Sequence, residues 1–433
     1  MADVNDIIHL LRRTEFVARA SRVQALQALT IEQAVDDVLD FSLNTTTPPP
    51  TLLVDDPNNR YGQRVAMHDW WINTMVSATR PFQEKLTLFW HGHFVSDYST
   101  TERTDLLMQQ ISLYRSMSIG NFRSFTHAMA LNPMMLRYLS GANNVKGSPN
   151  ENFSRELMEL FTLGVGNYTQ PDVTAAARAW TGHNLDSTTQ TYVFRPTQHD
   201  NNNKTFFGTT KNWDGPEIID EILRDNTAKR AIAARYMSRK LWEFLAYPNP
   251  ASEILDDLSL LFISNDLELR PLIRAILLRP EFYSLTARQG LVRSPVDWSV
   301  ALLAHSGLTA TQAQIFNWSL QMGQRVMDPP NVAGWENNAY YLTTGSLSGR
   351  ANVARRVASQ LRLNNGFNYL YAMTPAAAVD NVAAFFGVVL ADNTRTAITN
   401  AYTNERTAVG GSQNTAATNL LVMIMLTGEM NVP

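Results

Sequence analysis

Between Asn150 and Gly166, charged and apolar residues interleave more tightly than anywhere else in the chain, and their spacing leaves little choice of local structure. Phe153, Leu157, Leu160 and Phe161 recur three and four residues apart, the period of one face of an α-helix. Asn150, following Ser148-Pro149, is placed to cap the start, and Gly164 suits the left-handed position past the end. These limits predict a helix of about three and a half turns. Asn152, Arg155, Glu156 and Glu159 form a second, polar stripe. The stripe reads either as a solvated face on which flanking acids neutralise Arg155, or as one wall of a cleft. In the second case Arg155, Glu156 and Glu159 face inward, and a desolvated carboxylate can serve as acid, base or ligand.

The rest of the chain repeats the helical period with clear punctuation. Helices are predicted over 6–21, 30–43, 62–78, 80–96, 103–118 and 121–139, the last interrupted at Asn132-Pro133. Thr30-Ile-Glu-Gln33 has the form of a reciprocal cap, and Pro48-Pro49-Pro50 predicts an extended connection. Thr169 and Asp172 cap a helix over 170–181 that ends at Gly182 and delivers His183 just beyond it. The segment 184–213 breaks the pattern: 192–195 and 205–208 read as strands around a long polar loop, one β-hairpin in a helical chain. Helical periodicity returns over 216–225, 227–246, 251–264, 268–278, 294–305, 311–327 and 351–361, with three more helices between 375 and 426. The fold class expected is mainly α, with a single core. Residues 1–366 form one helical domain with the hairpin insertion at 184–213, and residues 367–433 add C-terminal helices on the same core.

Composition limits function by exclusion. Residues of which 45% are hydrophobic and 17% charged make a folded globular chain. A net charge of −3 and a pI near 6.3 supply no basic field for nucleic acid, and no lysine run suits an anionic membrane surface. The absence of cysteine removes disulfides, thiolate nucleophiles and thiolate metal sites. The apolar run Leu420–Leu426 is far shorter than the roughly twenty residues of a membrane span. The start, Met1-Ala-Asp-Val-Asn-Asp6, reads straight into a helix without a secretory leader, as in a mature or a cytoplasmic chain.

Three places carry side chains capable of chemistry outside the 150–166 helix. His93 continues the buried face of Phe82, Leu86 and Phe89, whereas His91 diverges from it by roughly two hundred degrees on an intact helix. Joint chelation by this pair requires that Gly92 open the helix, and a buried hydrogen-bonding role for His93 is the competing reading. His199, Asp200 and Lys204 share the polar loop of the insertion, as surface decoration or as a site. Asp328-Pro-Pro-Asn-Val-Ala-Gly-Trp335 combines two prolines, a permissive glycine and a large aromatic anchor, as a structural clamp or a stacking platform.

These segments resemble, in order, the pattern of a bacterial family known as domain of unknown function 1800. The resemblance rests on His9-Leu-Leu-Arg-Arg13, Phe89-Trp-His-Gly-His-Phe94, the 150–166 helix and the 172–182 segment. It continues through His199-Asp200, Phe207-Gly208, Arg239-Lys240-Leu-Trp242 and Pro329-Pro-Asn-Val-Ala-Gly-Trp335. It covers nearly the whole chain and implies no particular activity. It does imply a periplasmic or extracellular protein, since members usually carry a leader, often encoded beside a sulfatase-like partner family. The family pattern more often has tryptophan after the pair matching Thr181-Gly182, where this chain has His183.

The residues support two functional expectations. One is a hydrolase of a polymeric substrate, such as carbohydrate or cell envelope. In it Glu156 is general acid or base, Glu159 or Asp200 is its partner carboxylate, and Arg155 separates their pKa values. In a variant of this reading His91, His93, Glu156 and His199 bind a divalent metal that activates water, with zinc, iron or manganese favoured by the cysteine-free donor set. The other expectation is a non-catalytic assembly or binding protein whose buried polar groups only fix helix packing.

Overall fold

The structure, a computed structural model, describes residues 2–45, 50, 55–363, 367–408 and 412–433. Pro48 and Pro49 of the predicted extended connection, and residues 364–366 at the expected boundary between 366 and 367, lie outside the described residues. Helices dominate, and the only sheets among the described residues are two antiparallel pairs of three-residue strands. None of these helices is long and apolar enough to cross a membrane.

Local signals place many helix ends. The Thr30 and Thr169 hydroxyls accept the amides of Gln33 and Asp172 at 3.3 and 3.4 Å, and those side chains accept the cap amides in return. Phe122–Ala130 stops before Asn132, whose side-chain Oδ1 caps Pro133–Tyr138 by accepting the amides of Met134 and Met135. Elsewhere the backbone divides what periodicity joins. The predicted 6–21 helix ends at Glu15, with Phe16 at φ 65°, and a second helix, Ala20–Gln27, follows. The predicted 311–327 helix is split into Ala310–Ala313 and Ile315–Met322 by Gln314 at φ 56°.

The insertion pairs differently from the single hairpin expected. Strand β1 (His183–Leu185) pairs with β2 (Tyr192–Phe194), and β3 (Lys204–Phe206) pairs with β4 (Thr209–Lys211). Phe207 and Gly208 join the second pair with φ values of 45° and 83°, the paired positive values of a tight twisted turn. The polar stretch between β2 and β3 bends through a 3₁₀ turn, Pro196–Gln198, so 192–194 reaches back to His183 instead of forward to 205. Alternation of residue types marks a strand but not its partner.

One buried apolar cluster runs from Ile7 to Met430 and encloses Trp71, Trp90, Trp242 and Trp298. At its centre sits a carboxylate. Asp297, in the first turn of Pro295–Ser306, accepts Lys85 Nζ at 2.7 Å and Arg293 Nη1 at 2.5 Å. Arg13 and Arg350 lie fully buried in the same cluster of charge, Arg350 reaching the Arg293 carbonyl at 2.7 Å and the Asn431 side chain. Burial opposes the Asp297 charge, but Lys85 and Arg293 outweigh it and hold the carboxyl below its usual range.

Replacing Asp297 with Asn strands these cations in the core and is expected to remove about 3–5 kcal/mol of stability, measured by denaturant unfolding. Because the folded pKa is depressed, the native contribution of Asp297 is complete above the unfolded value of about 4. It is lost as pH falls through the lower folded value. An acid-unfolding midpoint unchanged in the Asn variant would contradict this role.

Candidate metal centre

The helix over 150–166 forms, but with two geometries. It begins at Asn152 with Glu151 in the cap position, one residue later than the predicted cap implies, although Asn150 Oδ1 does accept the Asn152 amide at 3.0 Å. Asn152–Glu156 is α-helical and Leu157–Thr162 is a π-helix, with the Thr162 hydroxyl donating to the Leu157 carbonyl at 2.5 Å. The wider turn brings Met158 into the core and leaves Leu160 only partly buried, against the stripe predicted from α spacing. Gly164 takes φ 80° past the end, as predicted.

The final carbonyls of this helix engage the histidine segment. His93 Nε2 donates to the Phe161 carbonyl at 3.1 Å, and the Tyr236 hydroxyl donates to the Leu160 carbonyl at 2.8 Å. Burial, reinforced by Lys240, drives the His93 pKa well down, so the ring is neutral. His91 Nε2 accepts the Met327 amide at 2.9 Å, and burial lowers its pKa to about 3. Both rings are packed among aromatic side chains: His91 against Trp71, Tyr114 and Trp335, His93 against Phe89, Trp90 and Phe94. Gly334, at φ 87°, has no room for a Cβ against the Gly92 carbonyl, and Trp335 covers Gly92 and His91 as a clamp between the two segments.

Of the four acid-base candidates, Arg155, Glu156 and Glu159 lie close enough to act on one another's charge, while Asp200 is tied to a different partner. Arg155 turns to Glu151 at 3.0 Å and Gln170 at 2.8 Å. Glu159 accepts the Tyr168 hydroxyl. Asp200 is held by Arg178 Nε at 2.7 Å and by the Asn202 amide at 2.9 Å; burial resists its charge, but these bonds and nearby Lys204 lower its pKa overall. Glu156 is half-buried and makes no hydrogen bond or ion pair among the described residues. Burial first and Glu159 second raise its pKa, partly offset by Arg155. His199 stands apart from His91 and His93.

His199 belongs instead to a group with His183 and Asp214, whose ligand atoms all lie within 4.8 Å of one another, the sole such group of three among the described residues. His183, at the head of β1, places Nε2 3.0 Å from Asp214 Oδ1 and Nδ1 3.0 Å from the Tyr192 hydroxyl. His199 Nδ1 donates to the Thr181 carbonyl at 2.8 Å, which leaves Nε2 as the free lone pair. Each imidazole thus spends its second nitrogen on an orienting partner, the arrangement that fixes metal-ligating histidines. The His183–Asp214 separation is close to the roughly 3.4 Å edge of a tetrahedron with metal bonds of about 2.1 Å. The separations that involve His199, all within 4.8 Å, exceed that edge by up to about 1.4 Å, so binding an ion would draw the group together. Burial resists the Asp214 charge, but the His183 bond, the Gly215 amide and His199 keep the carboxylate ionised with a lowered pKa.

The backbone around this group permits no looseness. Gly182 has φ 82°, and a Cβ there would meet the Arg195 carbonyl at 2.8 Å and the His199 amide at 3.1 Å. Gly215 presses against the Trp180 indole, where a Cβ would lie 2.5 Å from the ring. Trp180 packs edge-on against both Phe153 of the 150–166 helix and His183, so the core supports the cluster from below. Lys204 ties its two flanks: the fully buried ammonium donates to the Asp200 carbonyl at 2.5 Å, Asn212 Oδ1 at 2.9 Å and the Trp213 carbonyl at 2.8 Å. Those bonds hold the residue after His199 and the residue before Asp214. Asp200 and Lys204 therefore act as scaffold while His199 faces the site.

Asp214 is the member that sequence reasoning missed. Asp214 and Glu217 form a reciprocal cap for Gly215–Asp220, a legible signal for a helix start but silent about His183. Lys204→Met is expected to cost about 3 kcal/mol, from three acceptors left unpaired. Denaturant unfolding reads the loss, and a variant as stable as the parent would show that the staple is dispensable.

Residues 9–432 match the model of a family described as Protein of unknown function (DUF1800). No curated protein and no solved structure matches the chain. The match spans the histidine segment, the 150–166 helix, the insertion with its cluster and the Trp335 clamp, and the chain belongs to the DUF1800 family.

Proposed function

We propose that the chain is a hydrolase in which His183, His199 and Asp214 hold a divalent ion that activates water. The observation that carries this reading is the convergence of ligand atoms of His183, His199 and Asp214 within 4.8 Å of one another, with the Thr181 carbonyl occupying His199 Nδ1. Three protein ligands with one side open suit a catalytic centre, because a closed four-ligand shell leaves no place for water. The Asp214 side chain is 46% exposed, so water and substrate can approach from its side. His183, His199 and Asp214 would hold the ion with a position left for water, and the ion would supply Lewis acidity, easing deprotonation of that water and polarising the bond under attack. Water then adds across that bond, its oxygen to the electrophilic centre and its proton to the leaving group.

A polymeric substrate, carbohydrate or cell envelope, fits the setting. Phe194, itself 39% exposed, lies tilted against His183 and edge-on to His199, an apolar ring beside the cluster on which a sugar face can rest. The metal form is favoured over cleavage by carboxylates alone because Glu159 and Asp200 are committed to Tyr168 and Arg178, leaving Glu156 without a partner. A non-catalytic reading has one specific support: Asp214 also caps a helix, so its bond to His183 serves packing as well.

Metal content after equilibration with zinc, manganese or ferrous ion separates these readings. One ion per chain is expected, with loss in His199→Ala and in Asp214→Asn, the latter keeping a competent helix cap. At a hundred times its dissociation constant the ion adds about 2.7 kcal/mol to unfolding stability. Hydrolysis of cell-envelope glycans is expected to require the same ion and to vanish in Asp214→Asn. Metal-free chains with unchanged stability on adding each ion would sink the proposal.

A further inference from the structure

The largest cavity described lies far from the cluster in sequence and shares no residue with it. Its volume is about 980 Å³, the upper end of the range of small-molecule sites, and its walls come from the first two helices, Pro295–Ser306 and the chain beyond Asp380. Ile8, Val17, Val23, Ala383, Phe386 and Val388 give it a largely apolar surface.

Positive charge is in excess: Arg12, Arg288, Arg293 and Arg395 line the cavity against the carboxylates of Asp380 and Glu429. Arg288 is paired with Asp6 and Arg395 with Asp380, while Glu429 accepts the Ala391 amide. Arg293 shares the single carboxylate of Asp297 with Lys85, and the Nε atoms of Arg13, Arg293 and Arg350 have no acceptor. Arg12 also faces the cavity. Among the described residues it makes no ion pair, and its side chain donates from Nη2 to the Gly387 carbonyl at 2.8 Å. His9 and His305 add no charge at neutral pH, since burial lowers their pKa values to about 3 and about 4. An apolar chamber with an unpaired guanidinium, backed by further buried cations, is complementary to a hydrocarbon chain that ends in an anion.

We propose that this cavity binds a long-chain alkyl carboxylate, with the head group on Arg12 and the chain along the Val17, Phe386 and Val388 wall. Binding brings the guanidinium its missing carboxylate and removes apolar surface of both partners from water. Gly387 keeps the head-group end open: it has φ 62°, and a Cβ there would lie 2.9 Å from the His305 ring.

The test is titration of the full chain with parinaric acid, whose fluorescence rises on transfer to an apolar site, followed by competition with stearate and with octadecanol. Saturable binding of one probe per chain is expected, displaced by stearate and not by the alcohol. Arg12→Gln is expected to weaken binding about ten-fold or more. Ala384→Trp fills the chamber from an exposed lining position and is expected to abolish binding while thermal unfolding stays unchanged. Absence of saturable binding to the folded chain would overturn the proposal. So would equal competition by octadecanol together with undiminished affinity in Arg12→Gln. Metal content plays no part in this readout, so its result stands apart from that of the hydrolase reading.

Discussion

The helical body depends on one buried carboxylate. Asp297 has Lys85 and Arg293 within hydrogen-bonding distance and Arg13 and Arg350 in the same charged cluster. These residues come from helices at the start, the first third and the last third of the chain, and in the case of Arg293 from the connection just before Pro295–Ser306. Such an arrangement is stable only when complete, because a desolvated cation without a partner costs several kcal/mol. The cations also reach backbone carbonyls, Arg13 to Ala287, Arg293 to Phe16 and Arg350 to Arg293, so the cluster joins segments that apolar packing alone would let slide. Its surplus of positive charge gives the neighbouring chamber its anionic preference.

The insertion applies the same physics on a smaller scale. Lys204 is a buried cation whose three donors end on acceptors from two loop segments, and the ligand candidates His199 and Asp214 flank those segments. Rigid support comes from below through Phe153, Trp180 and His183 in ring-to-ring contact. Three short loops thereby gain the precision that a metal site demands, while Asp214 stays open to water. The chamber near the chain ends and the cluster on the insertion are built from separate residues and share no wall.

The 150–166 helix links these parts differently from its sequence pattern. Its π turn presents carbonyls to His93 and Tyr236, so the histidine segment works as a brace for the helix. Its polar stripe is half-buried at Glu156, and Arg155 spends its hydrogen bonds on Glu151 and Gln170 while still acting on the Glu156 charge.

Much of the fold was legible because helix signals are local. Caps at Thr30 and Thr169, the break at Asn132-Pro133 and the glycine after the 150–166 helix depend on groups within a few residues, and sequence alone determined them. The departure of 184–213 from helical period was equally plain. Tertiary structure decided what local chemistry leaves open: the partner of each short strand, the π turn, and which polar side chains meet. His199 was visible as a ligand type, yet its companions His183 and Asp214 lie sixteen residues before it and fifteen after. Their convergence depends on the close approach allowed at Gly182 and on the Lys204 staple, and both are contacts between segments that no periodicity records.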